Sequence, residues 1–152
     1  MKTKIILLVE DNPSDIELTR RALQKNHIAN EMVVAEDGQE ALDYLFGGEP
    51  SGSGHENELP ALILLDLKLP RVDGLQVLRR IRADERTRHL PVVILTTSGE
   101  EQDIAQSYDL GANSYVRKPV DFEQFVEATR YLGLYWLVMN EPAPFQKGRS
   151  GG

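Results

Sequence analysis

The chain is 152 residues long, 41% hydrophobic and 27% charged, with a net charge of -7 and no cysteine. That length builds one domain with a full core, not two. The acidic balance argues against nucleic acid as a direct partner, and the lack of cysteine excludes disulfides, thiolate catalysis and zinc–thiolate sites.

Short apolar runs alternate with segments of helical period, the pattern of an α/β domain with a parallel sheet. Ile5–Val9 is the first expected strand. The run is too short for a signal peptide or a membrane span, so a cytoplasmic protein with no membrane partner is expected. In the helix that follows, Asn12 can cap, Pro13 suits the first turn, and Ile16, Leu18, Ala22 and Leu23 supply the apolar face. Residues 32–35 form a weaker second strand. Asp37 can cap a helix carrying Ala41, Leu42, Leu45 and Phe46. Residues 47–60, rich in Gly, Ser and Pro, are expected to be the most mobile loop. Leu62–Leu65 is the third strand, and Asp73-Gly74 opens a helix with Leu75, Val77, Leu78 and Ile81. Residues 92–95 form the fourth strand. Ser98 and Glu101 suggest a capping box for a helix that ends near Gly111. Ser114–Arg117 is the fifth strand, and Asp121 can cap the last helix. Residues 1–140 are read as a single domain and 141–152, with Pro142 and Pro144, as an irregular tail. Residues 148–152 read as a cloning remnant as readily as native sequence.

The last helix differs from the others. Phe122, Phe125, Val126, Thr129, Leu132 and Trp136 line one face, while Ala128, Tyr131, Tyr135 and Val138 line a neighbouring one. One face suffices to cover a sheet. The second stripe is therefore expected to form either a homodimer interface through Tyr131, Tyr135 and Val138 or the seat of a folded-back tail.

Asp66 ends the run Ala61-Leu62-Ile63-Leu64-Leu65, and a carboxylate at the tip of a buried strand is costly unless something uses it. Glu10-Asp11, Thr96-Thr97 and Lys118 hold equivalent places after other strands. In an open parallel sheet these ends share one edge, where ligands bind. Glu10, Asp11 and Asp66 would then crowd together, and a hard divalent cation with oxygen ligands, Mg²⁺, relieves the repulsion. Asp66 can attack phosphorus, Lys118 can balance the transferred charge, and Thr96 can donate to a phosphoryl oxygen. Taken singly, each has a structural reading: Asp11 as a helix cap, Lys118 as an exposed lysine, Thr96 as a β-branched strand end. Convergence of all of them on one edge favours the chemical reading. His27, His55 and His89 lie too far apart in sequence to suggest a metal cluster.

The sequence resembles the receiver domains of two-component response regulators over residues 4–136. The resemblance rests on Leu8-Val9-Glu10-Asp11-Asn12, on Leu64-Leu65-Asp66-Leu67-Lys68-Leu69-Pro70-Arg71-Val72-Asp73-Gly74, on Leu95-Thr96-Thr97-Ser98, and on Gly111-Ala112-Asn113-Ser114-Tyr115-Val116-Arg117-Lys118-Pro119. It implies a flavodoxin-like (βα)5 fold with a parallel sheet of order 2-1-3-4-5. It makes Asp66 the phosphoacceptor, and Glu10, Asp11, Asp66 and the Lys68 backbone carbonyl the Mg²⁺ neighbourhood. Thr96 and Tyr115 become the switch pair, and Lys118-Pro119 a cis bond. A turnover enzyme acting on an external substrate is not expected.

A narrower likeness is to the single-domain regulators that accompany bacterial and cyanobacterial phytochromes. It rests on Val9-Glu10-Asp11-Asn12-Pro13-Ser14-Asp15, the 47–60 loop, Leu95-Thr96-Thr97-Ser98 and Tyr135-Trp136-Leu137. It implies a histidine kinase partner of phytochrome type and pairing through the last helix. The alternative is a chemotaxis-type or phosphorelay shuttle receiver with another kinase. Lys68 departs from the Asn more usual in that group. A haloacid dehalogenase-type phosphatase would place a second acid where Lys68 stands. A flavin carrier would need a first loop that does not repel phosphate, and a receiver that only binds partners would not need the intact acid set.

Overall fold

The computed structural model describes residues 4–26, 31–47, 59–118 and 121–132, with the backbone alone at Tyr131 and Leu132. The Lys118–Pro119 bond, residues 48–58 of the long loop, His27, His55, Tyr135, Trp136, Val138 and the tail 141–152 lie outside the described residues, as does the Tyr131 side chain.

Strands and helices alternate: β1 (Ile5–Val9), α1 (Pro13–Lys25), β2 (Glu31–Ala35), α2 (Gly38–Phe46), β3 (Leu62–Leu65), α3 (Gly74–Ala83), β4 (Val92–Thr96), α4 (Glu101–Asp109), β5 (Ser114–Arg117) and α5 (Phe122–Leu132). All pair in parallel in the order β2-β1-β3-β4-β5. β1, β3 and β4 are buried along their whole length, as expected of central strands with helices on both faces.

Side chains alternate between those faces with the period of two that a strand imposes. Leu7, Val9, Ile63, Leu65 and Ile94 pack with Ala41 and Leu45 of α2 and Val77, Leu78 and Ile81 of α3. Ile6, Leu8, Leu62, Leu64 and Val93 pack on the other face with Leu23 of α1. Leu95 meets Ala22 of α1 and Phe125 of α5 there. Asn26, at the end of α1, fastens these two helices by donating to the Val126 carbonyl at 2.9 Å and the Thr129 hydroxyl at 2.8 Å.

Local chemistry starts most helices as expected. The Asn12 side chain accepts from the amides of Ser14 and Asp15, Asp37 from Glu40, and Asp73 from Gln76 in a full capping box. The Asp121 carboxylate accepts from the Gln124 amide at 3.3 Å. α4 departs from expectation. Glu100 is its cap residue and makes no side-chain capping bond. The Ser98 hydroxyl accepts from the Glu100 amide at 3.3 Å and donates to the Asp103 carboxylate at 2.6 Å. The fourth strand runs one residue further than the apolar run suggests, because Thr96 still pairs with Arg117. α4 ends at Asp109 with Leu110 as its C-cap, and Gly111 follows at φ 96°, a conformation that favours glycine.

Gly74 brings α3 against the end of β3. A Cβ there would stand 2.2 Å from the Asp66 carbonyl oxygen and 2.6 Å from the Leu67 Cα. Only glycine lets the helix start so close to the strand tip.

Candidate functional site: an acidic cluster around one lysine

The parallel order carries the C-terminal ends of β1, β3, β4 and β5 to one edge. Glu10 follows β1 directly, is 2% exposed, and has its amide tied to the Ala35 carbonyl at 2.9 Å. Asp11, next in the chain, is exposed. Asp66 follows β3, and its amide donates to the Val9 carbonyl at 3.0 Å, which fixes it beside the end of β1. One Asp66 oxygen, Oδ1, accepts from the Lys68 amide at 3.1 Å. Glu10, Asp11 and Asp66 each offer a carboxylate oxygen, and these three atoms lie within 4.8 Å of one another.

Lys118 enters from the end of β5. Its amide donates to the Thr96 carbonyl at 2.6 Å, and its side chain reaches back under the edge. The ammonium donates to Glu10 Oε1 at 2.7 Å and to Asp15 Oδ2 at 2.8 Å, and stands 3.4 Å from Asp66 Oδ2. One buried cation is therefore shared among three acids. The electrostatics follow from that imbalance. Burial pushes the Glu10 carboxyl up, to about 7, with the Asp66 charge adding to the rise; Lys118 offsets it only in part. Burial alone would lower the Lys118 pKa, but hydrogen bonds to Asp15 and Glu10 and the charges of Asp66 and Glu10 outweigh it, so the lysine is held protonated.

Thr96 is fully buried at the tip of β4, and its hydroxyl accepts from the Ser98 amide at 3.5 Å. Tyr115 is half-buried on β5, and its hydroxyl donates to the Ser98 carbonyl at 2.8 Å. Burial raises its pKa and keeps it a donor. Both expected switch residues thus meet at the loop between β4 and α4. Lys68 lies at the rim, with its ammonium 3.5 Å from Asp103 Oδ2 on α4. That same carboxylate oxygen accepts from Ser98.

The structure brings together Glu10, Asp11, Asp66 and Lys118 as the sequence suggested, with Thr96 and Tyr115 beside them. It adds two residues that sequence reasoning missed, Asp15 and Asp103. Each carried a local signal with another meaning: an acid in the first turn of a helix is favoured by the helix dipole. Neither position revealed which cation it would meet.

Oxygen donors at this spacing, with surplus negative charge, fit a hard divalent cation such as Mg²⁺. The Asp66 carboxylate beside the exposed Asp11, with the ammonium adjacent, fits an incoming phosphoryl group. The acid required two residues after Asp66 by a haloacid dehalogenase-type phosphatase is absent, since Lys68 stands there.

Comparison with known proteins agrees with this geometry. The response regulator receiver domain family matches residues 6–130. The probable methanogenesis regulatory protein FilR2 of Methanothrix harundinacea is 42% identical over 141 residues, covering 92% of this chain and 88% of its own. The structure of the bacteriophytochrome response regulator AtBRR is 53% identical, covers 93% of this chain and 100% of its own, and superposes with a TM-score of 0.72. The phosphorylated cyanobacterial phytochrome response regulator RcpA is 38% identical, covers 94% of this chain and 100% of its own, and has a TM-score of 0.82.

Proposed function

Because the chain belongs to the response regulator receiver domain family, we propose that it takes a phosphoryl group from a histidine kinase onto Asp66. The observation that carries this reading is the trio of carboxylates within 4.8 Å, with the Lys118 ammonium 3.4 Å from Asp66. An Asp66 oxygen forms the new bond to phosphorus, the bond from phosphorus to the kinase imidazole breaks, and the imidazole keeps that electron pair and takes a proton. Glu10, Asp11, Asp66 and the Lys68 backbone carbonyl are the residues that would hold Mg²⁺. When bound, the ion supplies the charge neutralisation that lets a dianion approach a carboxylate. Lys118 balances the charge on the transferred group, and the Thr96 hydroxyl donates to it. To donate there Thr96 moves toward the phosphoryl group and pulls on the β4–α4 loop, which Tyr115 holds through the Ser98 carbonyl. The output is a shift in the population of that loop and α4.

The kinase partner is proposed to be of phytochrome type, on the strength of the likeness to AtBRR and RcpA; the second reading, a chemotaxis-type or phosphorelay shuttle receiver with another kinase, draws on the likeness to FilR2, a probable methanogenesis regulatory protein. The protein acts as a phosphoryl acceptor and not as a turnover enzyme, in the cytoplasm, as one receiver domain over residues 1–140. Among the described residues no helix is long and apolar enough to cross a membrane. A homodimer through the last helix completes the proposal. Phe125 and Thr129 turn inward on α5, so the stripe of Tyr131, Tyr135 and Val138 is spare in the sequence and suits a second copy.

Acetyl phosphate with Mg²⁺ tests the central step. One acid-stable, base-labile phosphoryl group should appear at Asp66, EDTA should suppress it, and Asp66→Asn should abolish it. Undiminished labelling of Asp66→Asn at another residue would overturn the assignment.

A further inference from the structure

The transfer just described leaves Asp15 without a role, although it holds Lys118 more closely than Asp66 does, at 2.8 Å against 3.4 Å. Asp15 stands outside the trio of Glu10, Asp11 and Asp66. A divalent cation bound by the trio shares two charges among three carboxylates, and Asp15 draws on the ammonium from outside them. Asp15 cannot simply follow the lysine elsewhere. Its amide donates to the Asn12 side chain at 3.1 Å and its carbonyl accepts from the Thr19 hydroxyl at 2.9 Å, which seat it in the first turn of α1.

We propose that Asp15 is a positioning residue that competes with a phosphoryl group on Asp66 for the Lys118 ammonium, and thereby sets how tightly that group is held. The inference rests on the reading of Asp66 as acceptor and Lys118 as its counter-ion. An ammonium has three N–H donors, and three carboxylates now surround this one. A dianion on Asp66 draws the ammonium in from 3.4 Å, and that approach lengthens one of its two short bonds, to Glu10 at 2.7 Å or to Asp15 at 2.8 Å. Glu10 is nearly sealed from solvent, with 2% of its side chain exposed, and losing its cation would leave a buried charge unpaired. The Asp15 side chain is 28% exposed, so water can replace the lysine there. Lys118 therefore moves from Asp15 toward the phosphoryl group. The Asp15 charge also repels that group, so both effects oppose phosphoryl binding.

The test measures two affinities of the full chain, for Mg²⁺ alone and for beryllium trifluoride in saturating Mg²⁺, the latter as an anion that adds to a carboxylate oxygen in place of phosphoryl. Asp15→Asn should tighten beryllium trifluoride binding by roughly two- to five-fold, the range of a partly exposed ion pair. It should weaken Mg²⁺ binding, because the released lysine leans on the trio. A structural defect would weaken both. Asp15→Glu should return both values toward wild type. In a Lys118→Met background, measured at higher beryllium trifluoride, Asp15→Asn should give a clearly smaller gain, that of the removed repulsion alone. A gain of the same size there would show that charge alone suffices and would overturn the competition, as would weaker beryllium trifluoride binding in Asp15→Asn. Wild type that binds beryllium trifluoride no better than Asp66→Asn would instead overturn the acceptor reading on which the inference stands.

Discussion

Removing the lysine should expose how much the acidic edge depends on it. Lys118 is 7% exposed at its side chain and lies within 3.4 Å of Glu10, Asp15 and Asp66. Lys118→Met keeps the length of the stem and deletes the charge. Breaking a buried pair by removing one partner costs about 3–5 kcal/mol. The low end applies here, because Glu10 can take up a proton and the Asp15 side chain, 28% exposed, can rehydrate. At roughly 2–4 °C per kcal/mol for a chain of this size, ~3 kcal/mol lowers the melting temperature by about 6–12 °C. The loss should depend on pH in a definite direction. The folded chain holds Glu10 at about 7 against an ordinary 4.5, so between those values it binds more proton than the unfolded chain. Stability from this group therefore falls as pH rises through that window. Lys118 opposes the rise in Glu10, so the variant should carry a higher Glu10 pKa, and its deficit should be larger at about pH 8 than at about pH 5.5. Mg²⁺ at about a hundred times its Kd should return ~2.7 kcal/mol by mass action, and more tightly in the variant, where no ammonium competes. Urea melts in EDTA and in Mg²⁺, at both pH values, give the four numbers. A deficit that is equal at the two pH values and unmoved by Mg²⁺ would refute the view that the lysine stabilises by neutralising this cluster.

Three further expectations concern signalling. Thr96→Ala should still accept phosphate from acetyl phosphate but show much smaller phosphorylation-linked shifts in amide NMR spectra along β4 and α4; full shifts would remove Thr96 from the switch. Phosphoryl decay should be slow, because Lys68 and Ser98, both tied to Asp103, offer neither carboxylate nor amide to orient water; Lys68→Asn should speed decay, and an unchanged rate discards this explanation. Light scattering of wild type should give a dimer that Tyr135→Asp converts to monomer, whereas a wild type that stays monomeric at high concentration, phosphorylated or not, rules the last-helix dimer out.

Much of this architecture was legible along the chain because its determinants are local. The runs at Ile5–Val9 and Leu62–Leu65 read as buried strands, and Asn12, Asp37 and Asp73 announced their helices through bonds to amides two or three residues on. Glu10, Asp11, Asp66 and Lys118 stood out because charge at the end of an apolar run needs an explanation. Their meeting followed once the strands were taken as parallel. Strand order came with the family resemblance and not with periodicity, which is blind to it. Tertiary structure alone decided the pairings across the fold. Asp15 and Lys118 are 103 residues apart and meet because α1 starts, and β5 ends, at the same edge of the sheet. The Ser98 carbonyl meets the Tyr115 hydroxyl, 17 residues on, because β5 pairs beside β4. Gly74 likewise looked like a helix start, and only the packing of α3 against the Asp66 carbonyl made a side chain there impossible. Local bonds are written in neighbouring residues, whereas which carboxylate a lysine meets depends on how several elements stack, and no short stretch of chain encodes that.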